Sequence, residues 1–181
     1  YRTAAETGLR ANELRSLTRS SFTLAASSPT IRVEAGYSKR RREDAIPLRP
    51  DTAAALAAFL ASKLPAAPAF RMPSPTSMIK VLRADLEAAR DAWIEASATP
   101  LEREERRESD FLVYRDRTGR VADFHAFRHT FISNLIGAGV HPRTAQALAR
   151  HSTITLTMDR YGHLLRGAET EALAALPSLA A

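Results

Sequence analysis

The sequence contains no cysteine, and this absence excludes several kinds of chemistry at once. Disulfide bonds, thiolate nucleophiles and Cys-ligated zinc sites are all impossible in this chain. No apolar run is long enough to cross a bilayer, and no signal peptide is visible. We therefore expect a cytoplasmic protein without a membrane partner.

Lysine is scarce as well, since only three of the 26 basic residues are lysine and the rest are arginine. The formal net charge is +6. A basic chain attracts polyanions, of which nucleic acid is the commonest. The planar guanidinium also binds phosphate oxygens through a fork that lysine does not have. This balance favours a nucleic-acid partner, although a GC-rich genome also raises the arginine content.

The sequence has no initiator methionine and begins at Tyr1 with a helical pattern already under way. We therefore interpret it as a fragment whose N-terminal part is absent. Its 181 residues, 45% hydrophobic and 25% charged, suffice for one globular domain with a hydrophobic core. We expect a single domain over residues 1–181.

Hydrophobic periodicity predicts a mostly helical domain with a small antiparallel sheet. The predicted helices cover residues 3–17, 52–64, 77–96, 125–137, 142–150, 154–163 and, in the tail, 168–176. The predicted strands cover residues 21–24, 31–38, 44–48 and 111–114. Residues 65–76, with four prolines, and the charged residues 97–109 are predicted to be exposed connections.

His125 and Arg128 are three residues apart, so on a helix they share one face. Phenylalanines at helical spacing around them would bury the neighbouring face. A surface His beside a surface Arg is the alternative, and taken alone it is the commoner one. His125 and His129 also have the spacing of two zinc ligands, but a zinc protease would have Glu where Ala126 stands. We expect no metal site here.

Arg10 follows Gly8 inside the first predicted helix. A glycine there costs stability relative to alanine, which indicates a helix break or a close backbone approach. Glu13 could orient Arg10 through an ion pair across one helical turn. The alternative is a solvated Arg–Glu pair, which contributes almost nothing to stability.

The stretch from Lys39 to Arg42 lies between two predicted strands and is predicted to form a hairpin tip. Its arginines, Arg40, Arg41 and Arg42, favour contact with DNA phosphates over a nuclear targeting patch, because the context is a folded hairpin. Later in the chain, one further segment contains both His151 and Tyr161. A tyrosine in a basic domain is more often a core or interface residue than a nucleophile.

Together these segments resemble the tyrosine recombinase (phage integrase) family over almost the whole chain. The resemblance implies six active-site roles in the family's order, at Arg10, Lys39, His125, Arg128, His151 and Tyr161. It also implies the α+β, mostly α, DNA breaking-rejoining enzyme fold, a helical catalytic domain with a small antiparallel three-stranded sheet. The interval from His151 to Tyr161 is one residue longer than the commonest family spacing. The family's N-terminal DNA-clamping domain is absent from this sequence.

The resemblance implies a site-specific recombinase or integrase that cleaves and rejoins DNA through a 3′-phosphotyrosyl intermediate. Arg10, Arg128 and His151 would stabilise the charged transition state, while Tyr161 attacks and Lys39 protonates the leaving oxygen. His125 would accept the tyrosine proton, and neither a metal nor another cofactor would be needed. The expected partners are double-stranded DNA at the bacterial nucleoid and three further copies in a homotetramer on paired sites.

Two other functions fit the same residues. A type IB topoisomerase uses similar chemistry without exchanging partners. A catalytically inactive DNA-binding protein would account for the basic charge and would bind DNA in a salt-sensitive way.

The tail after residue 166 could pack on its own domain or dock on a neighbouring protomer.

Overall fold

The computed structural model describes residues 1–38, 41–161 and 173–174, and at 160 and 161 it describes the backbone alone. The helices of this part are α1 Arg2–Thr7, α2 Ala11–Ser16, α3 Pro50–Leu60, α4 Met78–Glu95, α5 Pro100–Glu108, α6 Ala126–Gly137, α7 Pro142–Ala149 and α8 Thr155–Tyr161. The strands are β1 Phe22–Thr23, β2 Thr30–Val33 and β3 Asp44–Pro47. This arrangement confirms the predicted mostly helical α+β class.

The three strands form one antiparallel sheet in the order β1-β2-β3, as the sequence predicts. In β2, Ile31 and Val33 are fully buried while Arg32 is exposed, so the alternation of the sequence sets which face is buried. Ile31 pairs with Phe22 on one side and with Ile46 on the other. These three side chains belong to the main core, together with leucines of α3 and of the first helical segments.

A smaller core joins α6 to α7 through Ile132, Ile136, Ala145 and Ala149. Helix α6 also packs against α1, and α8 packs against both α6 and α7. Helices from opposite ends of the chain therefore meet around α6. This packing positions the candidate site, because Arg10, His125, Arg128, His151 and Tyr161 lie in or next to these elements.

The single helix predicted over residues 3–17 is two helices, with a break at Gly8. Gly8 has φ +62°, a left-handed conformation that glycine adopts without a steric penalty, and its N–H donates to the carbonyl of Ala4 at 2.9 Å. A Cβ at this position would lie 2.6 Å from Cδ1 of Phe131 on α6. Both of the expected reasons for a glycine, a break and a close approach, hold here.

Residues 97–109 are not buried, as predicted, but the prediction of a connection was wrong, because most of them form α5. Thr99 caps this helix by accepting from the N–H of Glu102, and Pro100 occupies the first turn. The carboxylate of Glu102 accepts in turn from the N–H of Ala98 and pairs with Arg106 one turn later. Local capping and charge pairing thus stabilise a helix that has no apolar stripe.

The strand predicted over residues 111–114 does not form. Leu112 has φ +62°, which interrupts an extended run, and only an isolated bridge between Arg115 and Val121 follows. Residues 116–119 form a turn, closed by a 2.9 Å bond from the N–H of Gly119 to the carbonyl of Asp116. The tail helix predicted over 168–176 lies outside the described residues except at 173 and 174.

Candidate active site

An open cleft of about 560 Å³ lies between the α2 segment, the β2–β3 connection and the start of α6. Arg10 and His125, which are 115 residues apart in the sequence, both line it. The remaining lining residues are Ala11, Asn12, Glu13, Gly36, Tyr37, Ser38 and Arg41. We call this space the cleft. Its size and its basic lining suit a phosphodiester rather than an apolar ligand.

Arg10 is held at the cleft by Glu13, one helical turn later. Its backbone N–H donates to Oε2 of Glu13 at 2.8 Å, and its Nη1 donates to Oε1 at 3.0 Å. Glu13 is only 1% exposed, whereas the Arg10 side chain remains partly exposed. The pair is therefore not the solvated surface pair that the sequence left open. A buried carboxylate fixes the guanidinium while one face of it still reaches the cleft.

Arg128 is 2% exposed and is not among the residues that line the cleft. Its Nη1 donates to the carbonyl of Gly8 at 2.7 Å, and its Nη2 donates to the carbonyl of Ala149. These two bonds tie α6 to the break between α1 and α2 and to the end of α7. The sequence predicted that His125 and Arg128 would lie side by side on one helical face, but the structure places only His125 at the cleft and buries Arg128 beside it.

Burial lowers the pKa of His125 below its ordinary value, and the charges of His129, Arg128 and Arg10 lower it further, while Asp123 opposes the shift. The rings of His125 and His129 meet edge to face, with centroids 5.0 Å apart. His125 is therefore neutral at pH 7 and can accept a proton. The guanidiniums of Arg10 and Arg128 both lie close enough to His125 to lower its pKa. These three predicted site residues therefore interact electrostatically.

His151 follows the end of α7, and its Nδ1 lies 2.9 Å from Oγ1 of Thr157 on α8. Thr157 is fully buried. This contact fixes the imidazole relative to α8, the helix that ends at Tyr161. The side chain of Tyr161 lies outside the described part of the chain, so its role as the nucleophile stays a prediction.

Lys39 and Arg40 also lie outside the described residues, but the chain on both sides of them is described. Ser38 and Arg41 line the cleft. The hydroxyl of Ser38 donates to buried Asp44 at 2.9 Å, which fixes the base of the connection at the start of β3. Arg42 is exposed and pairs with the same carboxylate at 3.3 Å.

Sequence reasoning missed one contributor to this site, Arg150, and part of the role of two others, Glu13 and Gly8. Glu13 was noted only as a partner for Arg10, and its burial has no local signature. Arg150 binds the same carboxylate across 137 residues of sequence, at 2.8 Å from Nη2 to Oε2. Gly8 was noted for its backbone, but its role as an acceptor for Arg128 depends on a residue 120 positions away. Such long-range contacts cannot be read from local spacing.

A second groove, of about 300 Å³, is lined largely by apolar side chains that include Phe59, Phe70, Met72 and Met78. Its lining has little of the positive charge that a phosphate ester requires. Among the residues that the structure describes, no group of three or more His, Asp or Glu side chains is placed to hold a metal ion. Within the same residues, every helix is too short or too polar to cross a lipid bilayer.

The solved structures that are similar to this chain in fold include a recombinase and a transposon integrase. The XerA recombinase matches with 17% identity and a TM-score of 0.59, over 97% of this chain. The Tn1549 transposon integrase matches in complex with transposon right end DNA (19% identity, TM-score 0.56, 95% of this chain) and with circular intermediate DNA (19%, 0.53, 94%). The chain spans 57% of the length of each of these proteins.

No curated protein matches the sequence. The model of the phage integrase family matches residues 2–167, which include every residue singled out above. The match covers nearly all of the fold described here, from α1 through α8, and the solved tyrosine recombinases share that fold. This chain therefore belongs to the phage integrase family.

Proposed function

We propose that this protein is a site-specific DNA recombinase that cleaves and rejoins DNA through a 3′-phosphotyrosyl intermediate on Tyr161. The observation that carries the proposal is that Arg10 and His125 line one cleft, with Arg128 buried close enough to His125 to lower its pKa, in a chain of the phage integrase family. These residues come from distant parts of the sequence, and a common site is what a shared phosphate requires.

Binding of the scissile phosphate is the first task of this site. A phosphodiester resists attack because its non-bridging oxygens repel the nucleophile, and negative charge grows on them in the transition state. Arg10 meets these oxygens directly in the cleft, and Arg128 adds positive charge from its fixed place beside His125. His151, oriented by Thr157, donates a further hydrogen bond. Fixed donors of this kind stabilise charge without reorganising during the reaction.

Bond exchange then proceeds without change of oxidation state. The hydroxyl oxygen of Tyr161 forms a bond to phosphorus, and the bond from phosphorus to the 5′-oxygen breaks. The tyrosine proton passes to His125, which is neutral at pH 7 because its pKa is lowered. Lys39 gives a proton to the departing 5′-oxygen. The position of Ser38 and Arg41 on the cleft supports this role for the lysine between them.

The substrate in this proposal is double-stranded DNA, in keeping with the two DNA-bound integrase structures that share the fold. Residues 1–181 act as the catalytic domain, and Arg40, Arg41 and Arg42 contact phosphates beside the cleavage position. Exchange between two duplexes requires four cleavage events, so we propose a homotetramer on paired sites. A DNA substrate would place the protein at the nucleoid of a bacterial cytoplasm.

Covalent trapping on a nicked suicide substrate tests the proposal. The wild-type chain should form an adduct that survives denaturation, and mass spectrometry should locate the nucleotide on Tyr161. Tyr161→Phe should bind DNA with unchanged affinity and form no adduct. An adduct with the Phe variant would remove Tyr161 as the nucleophile. A wild-type chain that binds DNA and never forms an adduct would show a DNA-binding protein without catalytic activity.

A further inference from the structure

Arg150 is an unusual residue at the end of α7. Its backbone has φ +53°, the left-handed conformation that favours glycine, and the residue is only 7% exposed. Its Nη2 binds Glu13, but its Nε and Nη1 are buried without a hydrogen-bond partner among the described residues. Backbone strain and unpartnered buried donors both cost stability. These two costs offset part of what the buried ion pair with Glu13 contributes to stability.

The contact with Glu13 links Arg150 to the cleft. Oε1 of Glu13 accepts from the guanidinium of Arg10, and Oε2 accepts from Arg150 and from the backbone N–H of Arg10. One buried carboxylate thus lies between two guanidiniums. The charges of the three side chains sum to +1. Without Arg150, the pair of Arg10 and Glu13 would have no net charge, and its attraction for a phosphate would be weaker.

The position of Arg150 in the chain strengthens the link. The carbonyl of the preceding residue, Ala149, accepts from Arg128, and the following residue is His151. The left-handed backbone at 150 determines how these three consecutive residues face their partners. The end of α7 therefore contacts the segments of all three candidate phosphate-binding groups: Arg10 through Glu13, Arg128 through a carbonyl, and His151 directly.

We propose that Arg150 is a positioning residue for DNA cleavage: it offsets the negative charge of buried Glu13, so that this carboxylate does not cancel the attraction of Arg10 for the scissile phosphate. This inference rests on the proposed function and adds a residue that does not touch the substrate. It predicts that Arg150 matters for the cleavage step rather than for DNA affinity, because most of the affinity for DNA comes from many phosphate contacts.

Single-turnover cleavage of a nicked suicide substrate by the full chain tests the inference. Arg150→Gly suits the left-handed backbone and removes the charge, so it should slow cleavage on the order of 10-fold, the effect of one partly screened charge. DNA affinity should change less than about threefold. Arg150→Lys keeps the charge and should recover most of the rate. Arg143→Gln, on the exposed side of α7, removes an equal charge and should leave the cleavage rate unchanged.

A double-mutant cycle with Glu13→Gln separates this role from simple packing. The amide has nearly the shape of the carboxylate but no charge, so Arg150 has nothing to neutralise in that background. Arg150→Gly should then slow cleavage by less than about threefold, measured against Glu13→Gln alone. Equal losses in both backgrounds would show that Arg150 only packs, and would overturn the inference. If Arg150→Gly does not fold, Arg150→Lys decides: a 10-fold loss in a folded variant would refute the role of charge.

The two proposals fail in different ways. A wild-type chain that never forms a covalent adduct overturns the proposed function and this inference together. A wild-type chain that forms the adduct, with Arg150→Gly cleaving at the same rate, overturns the inference alone. Adduct formation by the wild-type chain, slower cleavage by Arg150→Gly alone, and a smaller loss in the Glu13→Gln background support both.

Discussion

Replacing Gly8 with alanine should destabilise the fold and disturb the active site together. Gly8 has φ +62°, and a left-handed backbone costs a residue with a Cβ about 1–2 kcal/mol. The new Cβ would also lie 2.6 Å from Cδ1 of Phe131, and overpacking of this kind typically costs about 1–3 kcal/mol. Because the neighbour is a ring on a packed helix rather than a flexible chain end, we add the two terms. The expected loss in the free energy of unfolding is about 2–5 kcal/mol.

Urea denaturation measures this loss directly, and a thermal melt should show a decrease in Tm of about 4–20 °C for a domain of this size. Gly139→Ala is the matched control. Gly139 has φ +71°, but a Cβ there would meet nothing within 4 Å. Gly139→Ala should therefore lower the free energy of unfolding only by the cost of the left-handed backbone, about 1–2 kcal/mol. A loss at Gly8 no larger than the loss at Gly139 would refute the packing argument.

A second substitution checks the cause of the clash. In a Phe131→Leu background, a shorter side chain leaves room for the new Cβ, so Gly8→Ala should cost about 1–3 kcal/mol less than in the wild type. Cleavage should respond as well, because the carbonyl of Gly8 accepts from Arg128. Gly8→Ala should reduce the single-turnover rate even at temperatures where the variant is fully folded. An unchanged rate in the folded variant would show that cleavage does not depend on the hydrogen bond from Arg128 to the Gly8 carbonyl.

Two other predictions concern proton transfer. Cleavage needs neutral His125, whose pKa is lowered, so the wild-type rate should fall only as the pH drops through a value below about 6.5. His129→Asn removes a nearby charge that opposes protonation of His125, so it should raise the pKa of His125 and move the acidic limb of the pH–rate profile to higher pH. If this limb does not move, His129 does not influence the pKa of His125. Lys39→Ala should slow cleavage of normal DNA, and a 5′-bridging phosphorothiolate, whose leaving thiolate needs no proton, should restore the rate. Failure of this rescue would remove Lys39 as the acid.

The sheet and the main helices could be predicted because their patterns are local. Ile31 and Val33 alternate with polar neighbours, and this alternation alone assigns the buried face of β2. Helix α5 was missed for the opposite reason, since a run of charges contains no apolar stripe. Its signals were the Thr99 cap, Pro100 in the first turn and the pairing of Glu102 with Arg106. Capping motifs would have been a better guide there than hydrophobic periodicity.

The sequence could propose which residues form the candidate site, but it could not give their arrangement. Spacing placed His125 and Arg128 on one helical face, which is correct for the backbone. It could not show that Arg128 turns inward, because its acceptors at Gly8 and Ala149 lie 120 and 21 residues away. Burial also decides between the two alternatives that the sequence left open for Glu13. A solvated Arg–Glu pair contributes little, whereas a carboxylate that is 1% exposed must be matched by charged donors.

The two candidate arginines therefore differ in what their substitution would reveal. Arg10 is partly exposed, and its carboxylate partner would keep a second guanidinium, Arg150, if Arg10 were removed. Loss of cleavage in an Arg10 variant would thus report on phosphate chemistry. Arg128 is buried and joins three segments through two backbone carbonyls, so its removal would leave buried acceptors without donors. An inactive Arg128 variant is evidence for catalysis only when its stability has been measured, whereas an inactive Arg10 variant is the more direct test of the same phosphate site.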